Sequence, residues 1–272
     1  MPQCQVPGVE IHFEQAGQGP DVVWVSGGGG LASDWDLYQI PYFKGYFRNT
    51  TFDNRGIGET QCDEPMPWPL AEFGDDTAAL IEAVCEPPVS LVGISFGSAI
   101  VQQVAIDRPD LVRSAIVMGT GSRSIGWGWD FQKAEIDLRK AGGRLDGMFA
   151  VTHYAAMLYP AKVLGDRVLW PKLRDELIDW LDSDANESSL IPQWESCLLY
   201  DQTDQLPACR VPMHVVAFSE DIQAPPQDGQ ELAEVAGNAE YHEFAGMGHG
   251  SIYGHTHDIL NPFIRATIER YL

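Results

Sequence analysis

The chain has 272 residues, 44% of them hydrophobic, enough to bury one large core or two small ones, and its Gly and Pro content is too low for a disordered chain. Acids outnumber bases 39 to 17, for a formal net charge of -22, which argues against any polyanion-binding surface; nucleic acid and anionic membranes would be repelled. Cys4, Cys62, Cys85, Cys197 and Cys209 are odd in number and form no C-x-x-C pair, which excludes a complete disulfide framework.

In chain order, the first residues, MPQCQV, lack the basic start and apolar run of a signal peptide, and no later stretch stays apolar long enough to cross a bilayer. A cytoplasmic protein in a reducing compartment is the expectation. Residues 22–25 (VVWV), 50–52 (TTF), 89–92 (VSLV) and 115–118 (AIVM) predict buried strands, with helical composition at 78–84 and 100–105 between them. Strands alternating with helices imply an α/β fold with a mainly parallel central sheet and helices on both faces. From about residue 122 to 205 the texture changes to amphipathic helix formers, as in 133–140 (KAEIDLRK) and 175–181 (DELIDWL). Two further strands, 213–218 (MHVVAF) and 240–244 (EYHEF), follow. The expected organisation is therefore a core of 1–121 and 206–272 with a helical cap, 122–205, inserted into it.

Gly93-Ile94-Ser95-Phe96-Gly97 fits G-x-S-x-G at the handover from a strand to a helix, where a serine on a sharp, strained turn needs small flanking residues. Ser95 is thus the candidate nucleophile. A serine hydroxyl is a weak nucleophile at neutral pH, so a histidine must take its proton and an acid must orient that histidine. Of the seven histidines, His249 alone lies in a glycine loop (GMGHG) just after the final predicted strand. Asp221 follows the strand at 213–218, giving the chain order Ser, Asp, His. Glu220, at the same strand end, is the alternative acid. His12, His153, His214 and His242 are expected to be structural or surface residues. His249, His255 and His257 with Asp258 lack the further ligand cluster that would make a metal site, so no metal is expected.

Gly27-Gly28-Gly29-Gly30 follows the first predicted strand; the N–H of Gly28, paired with that of Phe96, would form an oxyanion hole. The same stretch admits a dinucleotide fingerprint, Gly27, Gly29 and Ala32 with Asp53 as the ribose acid, but Pro41 interrupts the helix it requires and the triad is left unexplained. Trp127, Trp129, Trp170, Trp180 and Trp194 fall in the insertion beside Phe131, Phe149, Tyr154 and Tyr159. Either these rings line an apolar pocket, with Trp127, Trp129 and Trp194 as the substrate-binding candidates, or they seal the cap onto the core.

The glycine loop, the segment Phe52-Asp53-Asn54-Arg55-Gly56-Ile57-Gly58, the turn at Ser95, Phe131-Gln132-Lys133-Ala134-Glu135, Asp221 with Pro225 four residues on, and His249 together resemble the α/β-hydrolase superfamily. In particular they resemble its cofactor-free bromoperoxidase-like (non-haem peroxidase) and enol-lactonase-like branch, and the likeness runs nearly end to end. Many relatives carry His where this chain has Ser26, and Glu-x-Pro where it has Gly254-His255-Thr256. The resemblance implies an α/β-hydrolase fold, no cofactor, and ester or lactone hydrolysis through an acyl-enzyme. Carbon–carbon bond hydrolysis or perhydrolysis on the same triad is the alternative, and a ligand receptor with slow hydrolysis is a reading of another class. The expected partner is a small-molecule ester or lactone, with a homo-oligomer left open.

Overall fold

A computed structural model describes residues 2–182 and 187–272. Among these, nine strands form one sheet: β1 (Gln3–Val6), β2 (Val9–Ala16), β3 (Asp21–Val25), β4 (Arg48–Phe52), β5 (Gln61–Cys62), β6 (Val89–Ile94), β7 (Val112–Met118), β8 (Met213–Phe218) and β9 (Ala239–Phe244). Their order is β1-β2-β4-β3-β6-β7-β8-β9, with β5 beside β2. Neighbours from β4 to β9 run parallel, while β2 is antiparallel to β1, β4 and β5. β3, β6 and β8 are buried at every position, so they appear in the sequence as unbroken apolar runs. β1 buries only alternate residues. The apolar pattern of the sequence picks out neither β1 nor β2, because a short edge hairpin lacks that continuous signal.

Helices cover both faces. α1 (Gln39–Phe43) and α10 (His257–Glu269) pack on one face through Ile40, Phe43, Leu260, Ile264 and Ile268. α2 (Leu70–Val84), α3 (Phe96–Asp107) and α9 (Pro226–Val235) cover the other through Phe73, Leu80, Ile81, Ile100, Val104 and Leu232. Full burial of side chains of this kind is worth about 1.5–3 kcal/mol each. The predicted helical stretches at 78–84 and 100–105 are the inner parts of α2 and α3.

Five helices follow β7: α4 (Gly126–Lys140), α5 (Gly147–Leu158), α6 (Ala161–Leu164), α7 (Leu169–Asp182) and α8 (Glu187–Leu199). They carry apolar clusters of their own, α5 to α7 around Val151, Leu173 and Leu177, and α4 with α8 around Ile136, Trp194 and Leu198. The segment leaves and rejoins the core through one neck, where Arg123 bridges Asp201 and the Gln202 N–H donates to the Ser122 carbonyl at 2.9 Å. It lies over the C-terminal ends of the parallel strands, where ligands bind in open α/β sheets.

Candidate active site

Ser95 sits between the end of β6 and the start of α3 at φ 54°, ψ -123°, the sole non-glycine residue with positive φ among the described residues. Such a backbone costs about 1–3 kcal/mol and persists only where its surroundings enforce it. The two motif glycines are part of that enforcement. A Cβ on Gly97 would lie 2.2 Å from the Val25 carbonyl oxygen, and one on Gly93 would lie 2.6 Å from that of Gly97. Ser98 ties the turn down: its hydroxyl accepts from the Met118 N–H and donates to the Met118 carbonyl, both at 2.9 Å. The Ser95 N–H donates to the same carbonyl at 2.9 Å.

His249 opens a short helical turn (His249–Ile252) beyond β9, and Asp221 follows β8. His249 Nδ1 and Asp221 Oδ2 are 2.7 Å apart. The other carboxylate oxygen accepts the Gln223 and Ala224 N–H groups at 2.8 and 2.9 Å, and the Asp221 side chain is wholly buried. A carboxylate with these partners is an acceptor, so it holds the proton on Nδ1 and leaves Nε2 to accept. Space for this pair comes from Gly119 at the end of β7, where a Cβ would lie 3.2 Å from His249 Nδ1 and 3.3 Å from Asp221 Oδ2. The sequence reading passed over Gly119, although a glycine directly after a buried strand was a visible signal. Glu220, the alternative acid, is exposed, and its neighbour holds the histidine.

The glycine loop enters the site from β3. Ser26 accepts from Trp35 Nε1 at 2.8 Å and donates to the Leu31 carbonyl at 3.0 Å, fixing the loop's base. The Gly30 N–H donates to the Gly27 carbonyl and the Gly29 N–H to Gln193 Oε1, each at 3.0 Å. Among the described residues, the N–H groups of Gly28 and Phe96 have no partner. Phe96 begins α3, so its N–H is one of the donors that a helix leaves unpaired and its dipole makes electropositive.

Ser95, His249, Gly28 and Phe96 line one cavity of about 320 Å³ between core and cap. Its apolar walls include Ile94, Phe131, Leu158, Trp180 and Trp194. Asp34, Glu135, Glu176, Asp228 and Arg123 also line it, with Arg139 beside Glu135 and Lys172 beside Glu176. Burial pushes Asp34 and Asp228 up to about 6. Glu135 is bonded to Tyr154 and Arg139, and Glu176 accepts from Tyr38 at 3.0 Å.

Of the three expected substrate-binding tryptophans, only Trp194 borders the cavity. Trp127 is 50% exposed and stacks on Phe131, while Trp129 packs into the α4–α8 cluster. The sequence registers aromatic content but not the direction a ring faces on its helix, so it leaves open which of the three line the cavity and which seal the cap. Phe131, Tyr154, Tyr159 and Trp180 line the cavity instead.

The remaining histidines have other partners. His153 stacks on Phe131, His257 stacks on Tyr38, and His255 lies 3.5 Å from the Ser251 hydroxyl. Among the described residues, His214, Glu240 and His242 are grouped closely enough to ligate a metal. Their donor atoms are engaged within the protein: the two imidazoles bond each other at 3.0 Å, His214 bonds Tyr271 at 2.9 Å, and Arg270 spans Glu240. Burial depresses His214 to about 4. Asp53, the acid of the dinucleotide alternative, accepts the Ala32 and Glu59 N–H groups at 2.7 and 2.9 Å, and only a short helical turn (Ala32–Trp35) stands where that fingerprint needs a long helix.

Residues 22–261 match the family described as "Alpha/beta hydrolase family". The chain belongs to that family. It is 32% identical over 255 residues to the Mycobacterium tuberculosis H37Rv protein named as a non-heme bromoperoxidase, BpoC, covering 89% of this chain and 91% of that one. The crystal structure of BpoC superposes with a TM-score of 0.89 at 27% identity, covering 96% of each chain. A protein of Caulobacter sp. K31 named as a carbamate hydrolase, RutD, is 26% identical over 242 residues, 89% of this chain and 88% of its own. The enol-lactonase from Burkholderia xenovorans LB400 shares the fold at a TM-score of 0.82 and 19% identity, covering 98% of each chain. This α/β-hydrolase therefore falls in the bromoperoxidase-like branch. Among its described residues no helix is long and apolar enough to cross a membrane.

Proposed function

We propose that the protein is a serine hydrolase that cleaves the carboxylic ester or lactone bond of a largely apolar small molecule through an acyl-enzyme. The observation that carries this reading is the strained Ser95 on a cavity that also contains His249 with its buried Asp221 partner. Ser95 Oγ attacks the substrate carbonyl carbon while His249 Nε2 takes the hydroxyl proton. The tetrahedral oxyanion is stabilised by the N–H groups of Gly28 and Phe96, which need no reorganisation to meet it. Collapse breaks the bond to the alkoxy oxygen, which leaves with the proton held by His249. Water, deprotonated by the same imidazole, then attacks the acyl-serine, and a second collapse returns the proton to Ser95 and frees the acid. Asp221 keeps the imidazole in the required tautomer throughout.

Apolar walls, with more acidic than basic residues among the rest of the lining, support an uncharged substrate over an anionic one. Turnover of p-nitrophenyl acetate, p-nitrophenyl butyrate and a simple lactone by wild type and Ser95→Ala tests the reading. Wild-type turnover that vanishes in the variant supports it; equal rates in the two proteins would refute it. The likeness to a protein named as a bromoperoxidase favours one second reading, perhydrolysis, in which hydrogen peroxide replaces water as acceptor of the acyl group and releases a peracid. Bromination of monochlorodimedone in acetate, bromide and hydrogen peroxide, abolished by Ser95→Ala, is its expected signature.

A further inference from the structure

We infer that Gln193, on cap helix α8, is a positioning residue that holds the oxyanion loop in its reactive shape. The inference rests on the reading of Gly28 as an oxyanion donor. The four glycines form a tight turn closed by the Gly30 N–H on the Gly27 carbonyl at 3.0 Å, with Gly29 at φ +79° in its third position. Glycine at both central positions leaves the peptide between them free to flip, because no Cβ penalises either orientation. A flip changes ψ of Gly28 and φ of Gly29 and turns over the Gly28 carbonyl and the Gly29 N–H; the Gly28 N–H lies on the preceding peptide, so its place depends on the turn as a whole keeping its shape.

Gln193 opposes that freedom from outside the loop. Its Oε1 accepts the Gly29 N–H at 3.0 Å, and its Nε2 donates to the Arg55 carbonyl at 3.1 Å. The residue is wholly buried, so neither amide group has water as a substitute. Requiring an acceptor on one side and a donor on the other sets which way the amide faces. Arg55 is itself fixed: its guanidinium donates to Asp76 on α2 at 2.7 and 3.0 Å. A continuous chain of bonds thus runs from α2 through Arg55 and Gln193 to the glycine loop. Trp194, next along α8, closes over the loop, with its ring 3.1 Å from where a Gly28 Cβ would be. The core bonds the loop at its base, and the cap bonds it at its tip.

Two substitutions separate this role from plain cap packing. Gln193→Met keeps the length and loses both hydrogen bonds; Gln193→Glu keeps the acceptor for Gly29 and loses the amide donor. Rates are taken on p-nitrophenyl acetate, a substrate too small to need the cap for binding, and divided by the number of sites titrated with a fluorophosphonate, so that unfolded protein does not count. With Gln193→Met, kcat is expected to fall about 10- to 100-fold, the scale of a displaced oxyanion donor, while KM stays within about twofold. Gln193→Glu should recover part of kcat, and a trifluoromethyl ketone should bind the Met variant more weakly by the same factor as kcat/KM falls. Unchanged kcat per titrated site in the Met variant, or a loss confined to KM, would overturn the inference alone. Absence of turnover in the wild type would overturn the hydrolase reading and this inference with it.

Discussion

On the core side of the cavity the reactive groups are placed by backbone, and on the cap side the walls are placed by side chains. Ser95 is held out by a strained turn that two glycines permit, and Gly119 clears the space in which His249 meets Asp221. Opposite them, Phe131, Trp180 and Trp194 face the cavity only because α4, α7 and α8 pack in one particular arrangement. Backbone placement is intolerant of any added atom, because a carbonyl cannot move out of the way as a side-chain tip can. The difference implies that core substitutions near the site destroy function outright, whereas substitutions in the apolar cap walls retune it.

Gly97→Ala breaks the comparison if it is mild. Its Cβ would meet the Val25 carbonyl oxygen at 2.2 Å, so the expected result is loss of most folded protein and of measurable turnover, read by thermal melting and ester hydrolysis. Asp221→Asn leaves the shape of the site in place but no longer demands the Nδ1 proton. By analogy with other triads, kcat should fall by about 10³–10⁴ with little change in melting temperature. The apolar walls of the cap give the smallest effects. Trp194→Ala enlarges the cavity and should shift the ratio of kcat/KM for butyrate over acetate esters by about 3- to 10-fold, as expected for apolar contacts worth one or two methylenes. Trp127→Ala, at a half-exposed ring off the cavity, should leave that ratio unchanged. A change at Trp127 matching that at Trp194 would mean that the cap closes differently around substrate.

The same contrast explains how much was legible in the sequence. Backbone requirements leave marks that a linear reading detects: the glycines around Ser95, the glycine loop after β3, and an acid and a histidine each placed just after a strand. β3, β6, β7 and β8 were visible because burial on both faces demands unbroken apolar runs. β1 and β2 were not, since an edge hairpin with partial burial resembles ordinary surface chain. Cap walls depend on which way each ring faces after helices far apart in sequence have packed, so Trp127 and Trp129 could not be told from Trp194. Gln193 carried no sequence signal at all, because its importance lies in two partners more than 130 positions away, Gly29 and Arg55.

The central claim is that Ser95 is the nucleophile of the cavity, and covalent labelling tests it most directly. The folded protein is treated with a fluorophosphonate, digested, and mapped by mass spectrometry beside Ser95→Ala. The account predicts one adduct, on the peptide containing Ser95, formed in proportion to the loss of esterase activity and absent from the variant. Labelling of the variant at an equal rate, or complete inhibition of wild type with Ser95 unmodified, would contradict it.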